Sequence, residues 1–341
     1  MTDAPSFSSK SFQNSFHGNK EFPTYNFLLC DFFQGVAGKS AANLQKKYGA
    51  AYASKILHNP DTSKRIRVFL CGKEVGHRHF DLRARLQKLM NSRMGCETFL
   101  GEDLNLELAR PKVNKDFLSV EVDEAERADL IVLFLESFGT AAELTAFVMN
   151  RKTVSKLVVL NEKKYQNAGG FLNEGPLKLL EKIEPGRISY YETNATTGRK
   201  LPIQILRCID RAVAKTWFDK QFENGCSIKN FNLDFNEFVA LTSAYVFFPI
   251  EKMTLAPWLN QVLGINYGSS IVSKLTKRRL LDEHESFCVP KHPLRAAFST
   301  LPMHMLTSIG KIRAQVLNQL IIQPSFKANC DRVELEFRKL F

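Results

Sequence analysis

Between residues 65 and 217, short continuous apolar runs alternate with stretches in which apolar residues recur every three or four positions. The first kind of pattern predicts strands buried on both faces, the second amphipathic helices. Arg65 to Cys71 reads as a strand ending at Gly72. Leu82, Leu86, Leu89 and Met90 form a helical stripe, and Thr98 to Leu100 a weak second strand. Phe117 to Arg127 reads as a helix, Ala128 to Leu135 as a strand, Ala141 to Asn150 as a helix and Ser155 to Leu160 as a strand. Pro176 suits the first turn of a helix over Leu177 to Ile183. Arg187 to Tyr191 is a further strand and Pro202 to Trp217 a further helix. Strands and helices in this alternation predict an α/β fold whose parallel sheet is covered on both faces.

The rhythm is different outside that region. Residues 1–60 read as a partly helical N-terminal extension, with helical spacing from Ala41 to Leu57 stopped by Asn59-Pro60-Asp61. Residues 61–217 form the α/β domain, 218–233 read as a linker, and 234–341 as a mostly helical domain. In that last part, Ser269 to Leu280 is a short basic amphipathic helix whose Ile271, Val272 and Leu275 face a core, and Leu281 to Val289 suits a hairpin.

Charge adds a partner class. The formal net charge is +12, which makes polyanions plausible partners, although the basic residues are spread along the chain. Their densest cluster is Lys274, Lys277, Arg278 and Arg279. The seven cysteines include no pair at CxxC spacing, which argues against a zinc site and a disulfide framework and suits a reducing cytoplasm. The histidines show no metal spacing, so no metal is expected. The first 25 residues lack the apolar core of a secretory signal, and no apolar run approaches the ~20 residues of a membrane helix, so no membrane association is expected.

The most informative stretch runs from Ile131 to Leu144, IVLFLESFGTAAEL: a buried strand, a Gly-containing loop and a helix that carries Glu143. In open α/β sheets, ligands bind outside the carboxyl ends of the strands. Cys71-Gly72, Glu102-Asp103, Glu136 and Glu143 all map there, and Glu121 could reach the same crevice. Several acids around one apolar-walled pocket push their pKa values apart and divide acid and base roles. The dinucleotide fingerprint GxGxxG is absent from the first loop, and a simple strand-to-helix turn explains that loop about as well.

Together, Phe69 to Gly72, Glu102 to Leu104, Leu133 to Phe147 and Phe171 to Leu180 resemble the effector proteins of type II retrons. The resemblance is specific over residues 62–195 and looser beyond. It implies a Rossmann/flavodoxin-like, nucleoside deoxyribosyltransferase-like domain followed by a winged-helix-like domain. It also implies a toxin of antiphage defence, held in check by a reverse transcriptase and its branched RNA–DNA product, msDNA. Glu143 matches the superfamily's nucleophile, Asn173 a sugar-contacting asparagine, and Glu121 a second carboxylate. Cys71, Gly72, Asp103, Glu136, Ser137, Gly139 and Thr140 complete the expected substrate-binding set, and Lys274, Lys277, Arg278 and Arg279 the nucleic-acid contacts. The superfamily often shares sites between subunits, which implies a homo-oligomer. Where the superfamily has Glu-Leu-Gly, this chain has Glu143-Leu144-Thr145, and Ser137 stands where an aspartate is common; hydrolysis is therefore expected over transfer.

The implied reaction is cleavage of an N-glycosidic bond, with NAD+ as leading substrate, no added cofactor, and nucleotides as the alternative. A carboxylate opposite the departing base stabilises the oxocarbenium-like C1′ or bonds to it. Nicotinamide leaves NAD+ from a cationic ring and needs no proton. A different class remains open: a non-enzymatic nucleic-acid-binding regulator with a ligand-sensing α/β domain. The C-terminal part could equally be a small helical interaction domain with a solvated basic face.

Overall fold

The computed structural model describes residue 57 and residues 65–73, 82–102, 116–192, 201–223 and 225–320, apart from 229–230, 285, 293–296 and 299–300. Almost all of the expected N-terminal extension, Asp103 and residues 321–341 lie outside the described residues.

Five strands form one parallel sheet: β1 (Ile66–Cys71), β2 (Cys96–Leu100), β3 (Leu130–Phe134), β4 (Leu157–Glu162) and β5 (Ile188–Tyr191), in the order β2-β1-β3-β4-β5. β3 pairs with β1 through Val68 opposite Leu130 and with β4 through Ile131 opposite Leu157. All five of its side chains are buried, which is why its sequence LIVLF is apolar without alternation. The strand order and the helices on both faces give a Rossmann-like architecture of the flavodoxin type.

Alternate strand residues serve two different cores. Val68, Leu70, Val132, Phe134, Val158 and Leu160 meet α1 (Leu82–Arg93) and α5 (Ile203–Gln221) on one face. Phe69, Cys71, Ile131, Leu133 and Val159 meet α2 (Phe117–Arg127), α3 (Phe138–Met149) and α4 (Lys178–Ile183) on the other. Cys71 therefore points toward the α2 and α3 layer, and α1 belongs to the opposite layer.

Three local readings change. The helix expected from Ala141 begins at Phe138, so Gly139 and Thr140 sit in its first turn and not in a loop. Ser137 caps it with a reciprocal capping box in which Thr140 takes the role usually held by Glu or Gln, a variant that hides the start signal. Before α4, Asn173–Leu177 forms a π-helical turn that contains Pro176. Residues 218–233, read as a linker, carry the last turn of α5 and an antiparallel hairpin, β6 (Cys226–Ile228) with β7 (Phe231–Leu233). Phe218, Cys226, Ile228 and Leu233 are buried there. Strands of three residues are too short to show a period, and Gly225 at φ +85° breaks the run between the helix and the hairpin.

The remainder is mostly helical: α6 (Phe235–Val246), α7 (Lys252–Leu263), α8 (Gly268–Lys277) and α9 (Met303–Leu320). β8 (Ile250–Glu251), β9 (Leu281–His284) and β10 (Phe287–Pro290) form a small antiparallel sheet in the order β8-β10-β9. Ile271, Val272 and Leu275 of α8 are buried, as their spacing requires. One continuous apolar cluster runs from the α5 face of the parallel sheet through Trp217 and Phe218 to Phe238, Trp258 and Leu275. Arg211 of α5 donates to Leu263 O at 2.8 Å, beside Gly264, which closes α7 at φ +62°.

A Cβ on Gly264 would lie 1.6 Å from Arg211 Nη1, whereas one on Gly310 in α9 would meet nothing. Gly264→Ala should therefore destabilise the protein by at least ~1–2 kcal/mol, and Gly310→Ala should stabilise it by ~0.5–1 kcal/mol. Paired thermal melts of the two variants check both signs.

Candidate active site

The carboxyl ends of β1, β2 and β3 converge where the connection after β1 turns to one face of the sheet and the connection before β3 to the other. Cys71 ends β1, Gly101 and Glu102 follow β2, and Leu135 to Ser137 follow β3. α3 brings Glu143 back over this edge, because Glu143 sits one and a half turns past the cap.

Glu143 receives a hydrogen bond from the Cys71 thiol. Its Oε2 is shielded from solvent and has no hydrogen-bond partner among the described residues. Buried acceptors are almost always satisfied, so an orphan of this kind marks strain, function or a missing ligand. Burial raises the Glu143 pKa above the ordinary carboxylate value; Arg83 opposes that rise and Glu102 adds to it. Glu121, on α2, is 7% exposed and lies over Gly101, where a Cβ would sit 3.7 Å from its Oε1. Burial, and then the charge of Glu143, push the Glu121 pKa up to about 7. The Cys71 thiol is driven well above its usual value by burial first and then by Glu143 and Glu121. Both carboxyls are thus raised above the ordinary range by burial, and the charge of Glu143 adds to the rise at Glu121.

Arg83 was not among the residues expected at the site. It is 2% exposed, donates to Gly72 O at 3.3 Å, and pairs with both oxygens of Glu102 through its two terminal nitrogens. Arg83 falls three residues before Leu86 and seven before Met90, on the apolar stripe of α1. A cation in such a stripe is the signal that could have found it. Gly72 makes the fit beside it easier, since a Cβ there would stand 3.2 Å from both Arg83 Cδ and Phe134 Cβ.

The expected substrate-binding residues divide into two groups. Cys71, Gly72, Glu121 and Glu143 come together. Asp103 lies outside the described residues, and the others are committed elsewhere or stand at the rim. The Thr140 hydroxyl is buried, accepts from the backbone N–H groups of Glu136 (3.1 Å) and Ser137 (3.0 Å), and donates to Ser137 O at 2.9 Å. Ser137 Oγ accepts from Thr140 N at 3.2 Å, so both hydroxyls build the helix cap. Gly139 is exposed and lies one turn before Glu143 on α3, leaving space open beside the carboxylate. Glu136 is exposed and accepts from Tyr191 Oη at 3.4 Å, a partner that its sequence separation concealed. Asn173 spends its amide on Tyr165 O (2.9 Å) and Ala168 O, tying its own loop together.

The four basic positions of the C-terminal part also divide. Lys274 lies 2.6 Å and Arg278 3.0 Å from the buried Glu237 of α6. Lys277 and Arg279 are exposed, Arg279 at φ 56° just past the end of α8. Among the described residues, no group of three His, Cys, Asp or Glu could hold a metal ion, and no helix is long and apolar enough to cross a membrane. Cys71, Cys96, Cys208, Cys226 and Cys288 are buried free thiols.

The model of the STM3845 retron effector protein family matches residues 79–285, more than half of the chain, and the chain belongs to that family. Two relatives in Escherichia coli carry names that mark them as candidate ribosyltransferase/DNA-binding proteins. That of retron Ec86 is 35% identical over 119 residues, covering 35% of this chain and 38% of the relative. That of retron Ec73 is 27% identical over 217 residues, covering 58% of this chain and 66% of the relative. The matches thus span between about two fifths and just under two thirds of the relatives' own lengths.

A carboxyl whose folded pKa is raised favours the fold fully below its unfolded value and loses that contribution as pH rises through the folded one. For Glu121 the window runs from 4.5 to about 7. Thermal stability should fall across that window, and Glu121→Gln should flatten the slope. Melting temperatures of the two proteins from pH 4.5 to 8 check this.

Proposed function

We propose that this retron effector cleaves N-glycosidic bonds, with Glu143 as the group that meets the anomeric carbon. The observation that carries the reading is the Glu143 carboxylate itself. One oxygen is shielded and has no partner among the described residues, the Cys71 thiol hydrogen-bonds the group, and the whole lies at the carboxyl edge of a Rossmann-like sheet where ligands bind. The relatives' names, which include ribosyltransferase, support chemistry at a ribose C1′.

In the reaction, the C1′–N bond breaks and its electron pair leaves with the base. The Glu143 carboxylate bonds to C1′ or balances its positive charge, and water then adds to C1′ and loses a proton to a carboxylate. NAD+ is the leading substrate, because the departing nicotinamide ring is already cationic. One observation favours a second substrate class: Glu121 keeps a proton up to about pH 7 beside Glu143, which suits a neutral nucleobase that must be protonated as it leaves. The two classes differ in pH response. Cleavage of NAD+ should hold its rate above pH 7, whereas cleavage of a nucleotide should decline there as Glu121 ionises.

The C-terminal part supports a nucleic-acid contact. Its order of helix, strand, helix, helix and hairpin, with β8 joining the hairpin, supports a winged-helix reading, in which α8 would take the place of the helix that enters a groove. Msdna and the reverse transcriptase of the retron are the partners this reading assigns, with the effector held inactive in their company. A homo-oligomer in the cytoplasm completes the proposal.

Purified full-length protein incubated with NAD+ or nucleotides should release free base. Glu143→Gln should lower that rate at least ~1,000-fold with the melting temperature retained; a variant as fast as the parent overturns the assignment. Release of no base from either class, with and without the partners, leaves the regulator reading. For the C-terminal part, the double substitution of Lys277 and Arg279 by Ala should weaken DNA binding and reduce its salt slope by about two. Lys274→Ala should instead lower stability, through the loss of its pairing with Glu237. Binding isotherms at two salt concentrations separate these effects.

A further inference from the structure

The two helical layers of the parallel sheet differ in what covers them. α1 and α5 lie on one face, and α5 is covered in turn by the C-terminal helices. α2, α3 and α4 lie on the other face, with α3 packed between α2 and the π-helical turn that leads into α4. A helix with one side in a core ordinarily carries charged or polar residues on the opposite side. α3 does not. Its sequence, FGTAAELTAFVM, holds a single charged residue, Glu143, and that side chain turns toward Cys71 at the sheet edge.

At 3.6 residues per turn, Phe138, Ala142, Thr145 and Met149 form one outward stripe ~17 Å long. Phe138 is 97% exposed and Met149 72%. The Thr145 hydroxyl donates to Ala141 O at 3.0 Å, so its polar atom is already satisfied within the helix. Leu118 on α2 and Phe171 just before the π-helical turn are exposed too, and add apolar surface on the elements to either side. The stripe has the same form from both ends. Phe138 and Met149 are equidistant from its midpoint, as are Ala142 and Thr145, with large side chains outermost and small ones at the centre. Such a surface is self-complementary: a second copy related by a two-fold axis lays Phe138 on the partner's Met149 and Ala142 on the partner's Thr145. Small central residues let the two helices approach closely. The net charge of +12 opposes contact between copies elsewhere on the surface, and the stripe carries none of it.

We propose that the outer face of α3 is the interface of a two-fold homodimer, in which α3 packs antiparallel on the α3 of a second copy. A stable interface takes about 800 Å² from each partner, more than one helix stripe supplies, so the flanks around Leu118 and Phe171 take part. Glu143 lies next to the midpoint of the stripe, and the candidate sites of the two copies therefore stand on either side of the axis. The inference rests on the homo-oligomer of the reading above and names its surface. Its test reads association alone, so it can fail while the glycosidase reading stands.

Sedimentation of full-length protein is followed over a range of concentrations for the parent, Phe138→Lys, Met149→Glu and an equimolar mixture of the two variants. The parent should sediment as a dimer or a larger even assembly. Each variant alone sets a charge against an apolar side chain at both ends of the stripe, and should raise the dissociation constant at least ~10-fold. In the mixture the introduced lysine faces the introduced glutamate at one end, and Phe138 keeps the partner's Met149 at the other. Association should therefore return, as a heterodimer. Should either variant fail to fold, Ala142→Lys and Thr145→Glu, which face each other across the same axis, take their place with the same expected outcomes. A parent that is monomeric at every concentration overturns the proposal and leaves the face to another segment of the chain or to a different protein. Variants that associate as tightly as the parent overturn it, and so does a mixture that stays as weak as its components.

Discussion

The architecture of this site depends on a buried ion pair, Arg83 with Glu102, at the carboxyl edge of the sheet. Four acidic groups, Cys71, Glu102, Glu121 and Glu143, gather at one edge of an apolar sheet, where unbalanced negative charge would be forced out or neutralised by protons. Arg83 opposes the rise that burial imposes on the Glu143 pKa. The fold makes room for it in two ways: a glycine at the end of β1 opens a path through the edge, and an acid after β2 anchors the far end of the guanidinium. The apolar stripe of α1 bears the cost, since Arg83 occupies a position that would otherwise hold a core side chain.

The same logic separates what the sequence showed from what it hid. Continuous apolar strands such as LIVLF announce a sheet buried on both faces, and the helix over Phe117–Arg127 has the bounds its spacing requires. Glu143 and Glu121 were legible because residues at strand ends and on the following helices have few places to go in this topology. Arg83 was overlooked because its place on the apolar stripe of α1 signals burial but not its partners, Gly72 and Glu102, which come from other strands. Glu136 with Tyr191, and Lys274 and Arg278 with Glu237, are hidden for the same reason: each contact joins residues 37 to 55 apart along the chain, a separation no local pattern records. The roles of Ser137 and Thr140 could be read only partly, since a capping threonine and a ligand-binding threonine carry the same letter.

The hairpin between the two parts teaches a related lesson. Residues 218–233 looked like a break because Gly225 and strands of three residues interrupt every periodicity. In the fold they close the end of α5 over a continuous core that joins the parallel sheet to α6 and α7. α5 is thus covered on both sides, with the sheet against one face and the C-terminal helices against the other. A partner acting on the small antiparallel sheet or α8 would meet a body in direct apolar contact with the helix layer that carries Arg83.

The account stands or falls on where the sugar sits. The most direct measurement is an experimental structure of the Glu143→Gln protein with uncleaved NAD+ or nucleotide bound. The anomeric carbon should lie within about 3.5 Å of the side chain at position 143, on the face of the sugar opposite the base, as a near-attack geometry requires. A substrate bound with its C1′ on another carboxylate, or held away from the carboxyl edge of the sheet, would contradict it.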